Sequence, residues 1–208
     1  MSQDLRSWIR RHLDPLEVRE PTATPRAEFD PAMGVPPDAG TFVPAAVLIG
    51  LVERPEGLSV LLTRRADTLR KHTGQIALPG GRQDPGETPW ETALREAEEE
   101  IGLHPRFVTL AGLSSPFWTG TGYLIHPVVG FVSPDAPLAA NPDEVADIFE
   151  TPFGFLMDPA NHEQQERELP NGQRFRFYAM THENRVIWGA TAGVLRALYL
   201  RLYGAAVA

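Results

Sequence analysis

An α+β fold is predicted for this 208-residue chain by three observations. Extended runs of β-branched and aromatic residues follow one another from Phe42 onward, helical patterns are few among them, and the length is ample for one domain with a real hydrophobic core. In order, Ser2 to Leu13 reads as a short amphipathic helix, with Leu5, Trp8, Ile9 and Leu13 on one stripe and Arg6, Arg10 and Arg11 beside it. Asp14 to Gly40 is rich in Pro and Ala and reads as an irregular arm, so residues 1–40 form a helix and arm ahead of a folded domain over 41–208. Strands are expected at Phe42 to Val52, Ser59 to Thr63, Val108 to Leu113, Leu124 to Val132, Val145 to Glu150 and Arg174 to Met180. Between them, Pro89 to Ile101 carries the marks of a capped helix. Thr88 stands at the N-cap, Pro89 at the first helical position and Glu91 where a capping box closes, while Gly102 follows where a left-handed residue ends a helix. Ile187 to Tyr203 reads as a closing helix, with Trp188, Leu195, Leu198, Tyr199 and Leu202 on its apolar side, and no internal repeat is found.

Composition narrows the function classes. With no cysteine, disulfides, thiol nucleophiles and cysteine zinc sites are excluded. A formal net charge of −8 argues against broad nucleic-acid binding, which needs an extended basic surface. No stretch is long and apolar enough to span a membrane, Met1-Ser2-Gln3-Asp4 opens no secretory signal, and the end Ala205-Ala206-Val207-Ala208 lacks a peroxisomal address. A cytoplasmic location is the expectation. The basic, tryptophan-bearing first helix suits a membrane surface less well than docking on its own domain or on a second copy, which leaves a homodimer open.

The helix at 89–101 concentrates the chemistry. At roughly 100° per residue, with Glu96 at zero, Glu99 lies near about −60° and Glu100 near about +40°, whereas Glu98 points away at about −160°. Trp90, Ala93, Leu94, Ala97 and Ile101 occupy a separate arc that can face a core. A run of glutamates on a helix is usually a hydrated face, yet three on one side repel, and oxygen-only donors suit Mg²⁺ or Mn²⁺. Just upstream, Gly80 and Gly81 let the backbone turn back and approach a ligand, so the Gly80 carbonyl can join such a donor set.

From Gly81 the chain reads five residues, Glu87, seven residues, then Arg95-Glu96-Ala97-Glu98-Glu99-Glu100-Ile101-Gly102-Leu103. This resembles the Nudix box, G-x5-E-x7-R-E-U-x-E-E-x-G-U with U apolar, and every required position is filled. The resemblance implies an α/β/α sandwich around a mixed sheet, and metal-dependent hydrolysis of a diphosphate linked to a nucleoside. It implies Glu96, Glu99, Glu100 and the Gly80 carbonyl as metal ligands and catalytic groups, Glu96 and Glu100 foremost, with Gly81 beside the substrate. Arg95 is expected to pair with Glu87 and fix the loop on the helix, and by helical spacing it also reaches Glu91 and Glu99. The general base is expected from the box or from a distant loop, where Glu144 is a candidate as ligand or base against the alternative of a surface residue.

A second motif precedes the box. Leu61-Leu62-Thr63-Arg64-Arg65-Ala66, Arg70, Gly74 and Leu78-Pro79-Gly80-Gly81 resemble L-L-T-x-R-(S/A)-x3-R-x3-G-x3-F-P-G-G of the coenzyme A diphosphatases, with Leu78 where the family usually has Phe. The two motifs run from Leu61 to Leu103. They imply coenzyme A or a related nucleotide as substrate, split to 3′,5′-ADP and 4′-phosphopantetheine. Arg65 and Arg70 are expected to contact phosphate, since guanidinium forks match phosphate oxygens. Gln75 faces either an amide or phosphate of the substrate, or solvent. Phe117 and Trp118 either stack on a base or cover the sheet edge or the N-terminal arm. Another nucleoside diphosphate derivative, such as ADP-ribose or a dinucleotide polyphosphate, would keep the box without needing the Arg65 and Arg70 motif, whereas a non-catalytic nucleotide-binding regulator would have lost box carboxylates.

Overall fold

The computed structural model describes residues 2–17, 42–67, 74–168, 172 and 174–204. In chain order its elements are α1 (Ser2–Arg11), β1 (Val43–Arg54), β2 (Gly57–Arg65), β3 (Ile76–Ala77), β4 (Gly80–Arg82), α2 (Pro89–Ile101), β5 (Val108–Leu113), β6 (Phe117–Trp118), β7 (Tyr123–Val132), β8 (Val145–Pro152), α3 (Phe153–Leu156), β9 (Glu163–Glu168), β10 (Arg174–His182), β11 (Arg185–Trp188) and α4 (Ala190–Tyr203).

β1 is the hub of an eight-stranded mixed sheet. It runs parallel to β7 from Val43↔Tyr123 to Val52↔Val132. On its other side it is antiparallel to β4 over Ala45 to Val47 and to β2 over Leu51 to Arg54. β2 then carries β8 and β3, while β7 carries β5 and β6, all antiparallel. A smaller antiparallel sheet has the order β11-β10-β9.

Both faces of the large sheet are covered, which is why β1 reads as an almost unbroken apolar run. Ile49, Leu51, Val129 and Phe131 share one cluster with Ile9 of α1 and Val194, Leu195 and Leu198 of α4. Ala46, Leu48, Val52, Val128 and Val132 face the opposite way and pack on Ala93, Ala97 and Ile101 of α2. The result is an α/β/α sandwich with a mixed sheet at its centre. Each fully buried side chain such as Ile49 or Leu48 contributes roughly 1.5–3 kcal/mol of transfer free energy.

The apolar stripe of α1 is covered by this same domain. Ile9 and Leu13 are buried, Leu5 and Trp8 pack beside them, and the Arg6 guanidinium lies 4.5 Å from the centre of the Phe131 ring. Asp14 exchanges two backbone hydrogen bonds with Leu113, and Arg201 of α4 donates to the His12 carbonyl and the Asp14 carboxylate. No helix among the described residues is long and apolar enough to cross a membrane.

Several boundaries differ from the sequence reading. Ile187 and Trp188 close β11 instead of opening the last helix, because Gly189 at φ +65° turns the chain before α4 begins. β9, with sequence Glu-Gln-Gln-Glu-Arg-Glu, has no apolar alternation to betray it and lies in a strand through pairing with β10. Phe117 is core, 2% exposed in the cluster beneath α4, where a Cβ on Gly193 would lie 2.3 Å from the ring, so it is not available to stack on a base. Leu78 is buried in the same cluster, an apolar residue in an apolar setting.

Candidate active site

The site grows from the way α2 is fixed at both ends. Thr88 Oγ1 accepts the Glu91 amide at 3.4 Å while the Glu91 carboxylate accepts the Thr88 amide at 2.7 Å, a closed capping box. Gly102, at φ +65°, donates to the Glu98 carbonyl at 2.9 Å and ends the helix. Glu91 is thereby committed to the cap and does not meet Arg95.

The glycine pair sits directly against this helix. Gly80 has φ +156°, and a Cβ there would lie 2.3 Å from the Ala46 carbonyl oxygen. At Gly81 a Cβ would lie 2.5 Å from the carboxyl carbon of Glu96. Only glycines allow β4 to pass so close to both β1 and α2. In consequence the Gly80 amide donates to Glu100 Oε2 at 3.3 Å.

Arg95 braces the loop between β4 and α2. Its Nε and Nη2 donate to the two oxygens of Glu87 at 2.7 and 3.0 Å, its Nη2 reaches the Arg82 carbonyl, and its Nη1 reaches Glu96 at 2.8 Å and Glu99 at 3.2 Å. Glu87 also accepts from Thr92 Oγ1 at 2.7 Å and from the Asp84 amide at 3.0 Å. Thr92, fully buried, is a member of this brace that the sequence reading missed; its only signal was a hydroxyl among apolar neighbours on the inner face of the helix. The Arg95 hydrogen bonds, chiefly, hold the Glu87 carboxyl down to about 2. Glu87 therefore stabilises the fold above its ordinary value near 4.5, and that contribution is lost as the pH falls toward about 2. Glu87→Gln is expected to cost about 2 kcal/mol at pH 7, since charge-assisted bonds are replaced by weaker ones. Calorimetric melting should show the deficit at pH 7 and its disappearance near pH 2; an equal deficit at both would remove the charge from the explanation.

Glu144 reaches the site by a strap across the end of α2. The Ala139 amide donates to the Ile101 carbonyl and the Asn141 amide to the Glu100 carbonyl, each at 2.9 Å. The Asn141 carbonyl accepts the Glu144 amide at 3.0 Å, and the Glu144 carbonyl accepts the Ala66 amide at 2.8 Å. Asn141 was not singled out from sequence, yet it links the helix end to Glu144.

These contacts gather the acidic residues unequally. Glu100 is 4% exposed, and its carboxyl is pushed up to about 8, mainly by burial and further by the charges of Glu96 and Glu144, against the Gly80 amide and the Arg65 charge. Burial also raises Glu96, with Glu99 and Glu144 adding to the rise and Arg95 opposing it. Glu99 lies at the solvent side, with its side chain 55% exposed. Glu98 is exposed as expected. Among the described residues no three carboxylates or imidazoles close on a single point; Arg95 draws Glu96 and Glu99 together, and Glu100 rests on the Gly80 amide. The donor set is nonetheless all oxygen, with Glu96 and Glu100 crowded in a desolvated corner and Glu99 at its solvent side, which fits a hard divalent cation.

Arg65 stands at the end of β2, where the pairing with β8 slips by one residue. Its charge acts on Glu100, and its buried Nε has no hydrogen-bond partner among the described residues. The Gln75 carbonyl accepts the Arg65 amide at 2.9 Å, which ties the β3 segment to β2. Arg70 lies outside the described residues.

A model of the NUDIX domain matches residues 42–171. Nudix hydrolases named NudL from Yersinia pestis (strain Pestoides F) and Yersinia pseudotuberculosis (serotype O:1b, strain IP 31758) are each 43% identical over 155 residues, spanning 74% of this chain and 77% of theirs. Among solved structures, the Nudix hydrolase RenU of M. smegmatis aligns over 79% of this chain and 86% of its own at 20% identity and a TM-score of 0.49. A MutT/nudix family protein from Enterococcus faecalis aligns over 100% of this chain and 74% of its own, at 17% identity and a TM-score of 0.48.

Proposed function

The chain belongs to the Nudix family of hydrolases, and from that premise we propose that it splits the diphosphate bond of coenzyme A or a coenzyme A derivative. The observation that carries the substrate reading is the position of Arg65. It is the arginine of the Leu61-Leu62-Thr63-Arg64-Arg65-Ala66 motif, its charge is felt by Glu100, and its buried Nε has an unused hydrogen. A guanidinium beside an acidic cluster can hold the phosphate that the cluster would otherwise repel.

In this reading Glu96, Glu99, Glu100 and the Gly80 carbonyl would hold Mg²⁺ or Mn²⁺. When bound, the cation neutralises charge developing on the diphosphate oxygens and favours ionisation of the attacking water. The residues of the chain do the rest. Arg65 orients one phosphate, and Gln75 and Gly81 are taken as further substrate contacts. Water adds to one phosphorus, the bridging P–O bond breaks, and the second phosphate leaves with the bond's electrons. Glu144, in the turn ahead of β8, whose charge acts on Glu96 and Glu100, takes the proton from the water. Arg95 and Glu87 keep the glycine turn against the helix so that these distances hold.

The test is a substrate panel with purified protein, run with Mg²⁺ and with Mn²⁺. Coenzyme A, dephospho-coenzyme A, ADP-ribose and diadenosine tetraphosphate are compared by kcat/KM, with products identified as 3′,5′-ADP and 4′-phosphopantetheine. Coenzyme A is expected to lead by at least about tenfold, the discrimination that one well-placed charged contact supplies. A lead of that size for ADP-ribose or the dinucleotide would overturn the substrate assignment and leave the hydrolase in place.

A further inference from the structure

β9 pairs with β10 along one side, from Arg174↔Glu168 to Ala179↔Glu163. No described strand pairs with its other side. Its side chains are exposed apart from a half-covered Gln165. Such an edge offers backbone N–H and C=O groups that a further strand can take up, and charge on an edge is a common way of preventing it.

The charges on this edge are arranged differently from a uniform barrier. In Glu163-Gln164-Gln165-Glu166-Arg167, opposite charges lie two positions either side of Gln165. Glu166 is already compensated within the chain, by Arg174 at 3.0 Å and Arg176 at 3.1 Å. Arg167 makes no ion pair with a described residue.

We propose that β9 is a contact between two copies of this chain, joined as antiparallel strands about a two-fold axis through Gln165. An axis perpendicular to the sheet keeps every side chain on its own face, so it must fall on a residue, and the choice of residue is constrained. On Gln165 it sets Glu163 opposite the partner subunit's Arg167 twice, and Gln164 opposite the partner subunit's Glu166. On Glu166 it would set that carboxylate against itself, and on Gln164 it would carry Arg167 beyond the partner's strand. Opposite charges across a strand pair are favourable and like charges are not, so the sequence of the edge selects its own copy in one register. The smaller sheet would then continue from one subunit into the next, as strand addition does elsewhere. An edge of this length makes a small interface, so the dimer is a weak one.

Sedimentation equilibrium of the full chain, from about 1 µM to about 1 mM at low salt, reads the association directly. The wild type is expected to dimerise within that range. Arg167→Glu, at an exposed position, turns two attractions into two repulsions and should weaken the dimer by roughly tenfold or more. Glu163→Arg combined with Arg167→Glu restores the complementary order and should recover most of the wild-type affinity. A wild type that stays monomeric throughout would overturn the proposal. So would a dimer indifferent to Arg167→Glu, or a double variant as weak as the single one.

Discussion

If Glu100 holds the cation as proposed, replacing it with glutamine is expected to abolish turnover, lowering kcat by about 10²–10³-fold or more, because one charged oxygen is removed from the proposed metal site. The same change should stabilise the protein when divalent cations are chelated. Glu100 is buried and its carboxyl is pushed up to about 8 by that burial. From about 4.5 to about 8 the folded chain therefore holds a proton that the unfolded chain has released, and stability declines as pH rises through that window. Glutamine is neutral at every pH, so the variant escapes the decline. In chelator at pH 8 the Glu100→Gln protein should melt higher than wild type by on the order of 5 °C, with the gap closing toward pH 5. Near-normal activity would remove Glu100 from the chemistry. Equal melting at pH 8 would mean that its carboxylate is better solvated than its surroundings indicate.

Alanine at Gly80 is expected to be among the most disruptive single methyls at the described glycines. The Cβ would fall 2.3 Å from the Ala46 carbonyl oxygen and 2.6 Å from the Val47 Cα, both backbone atoms of the central strand, at a φ of +156° that L side chains rarely adopt. Neither neighbour can swing aside, and a cost of roughly 3–5 kcal/mol follows from the clash and the backbone strain together. Gly81→Ala makes an informative contrast. Its Cβ meets the end of a flexible side chain, the Glu96 carboxylate, which can move. That variant should fold nearly as well as wild type and yet lose most activity. Thermal melting and kcat measured side by side separate the two; a Gly80→Ala protein that melts within 2 °C of wild type, on the roughly 2–4 °C per kcal/mol of a chain this size, would contradict the crowding at β1.

Much of the architecture follows from short-range signals. α2 runs from Pro89 to Ile101 as expected because its N-cap, capping box and left-handed terminator all lie within the segment itself. β5 and the body of β1, β2, β7 and β8 follow from apolar runs that the two covered faces demand. What could not be read depends on distant partners. β9 is polar throughout and is a strand because β10 bonds to it. Ile187 and Trp188 are apolar enough for either a helix or a strand, and pairing of Met180 and Ala179 with them decides the matter. At the site, the Glu87 and Arg95 pair was visible in the spacing of the box, whereas the strap that carries Glu144 to the helix end was not. Its hydrogen bonds join residues about forty positions apart, from Glu100 to Asn141, and no periodicity encodes them. The committed position of Phe117 likewise depends on Gly193 leaving room beneath α4.

The link between Arg201 and the His12–Asp14 segment bears on how the chain is made. These groups are separated by 187 to 189 positions in sequence, so the ribosome exposes the first helix long before its clamp exists. Until the last helix emerges, Ile9 and Leu13 have only part of their final lining, and closing so wide a loop is slow. Nascent chains arrested before Arg201 should thus remain open to proteases around the first helix, which marks its clamping by the last helix as a late event in acquiring the native state.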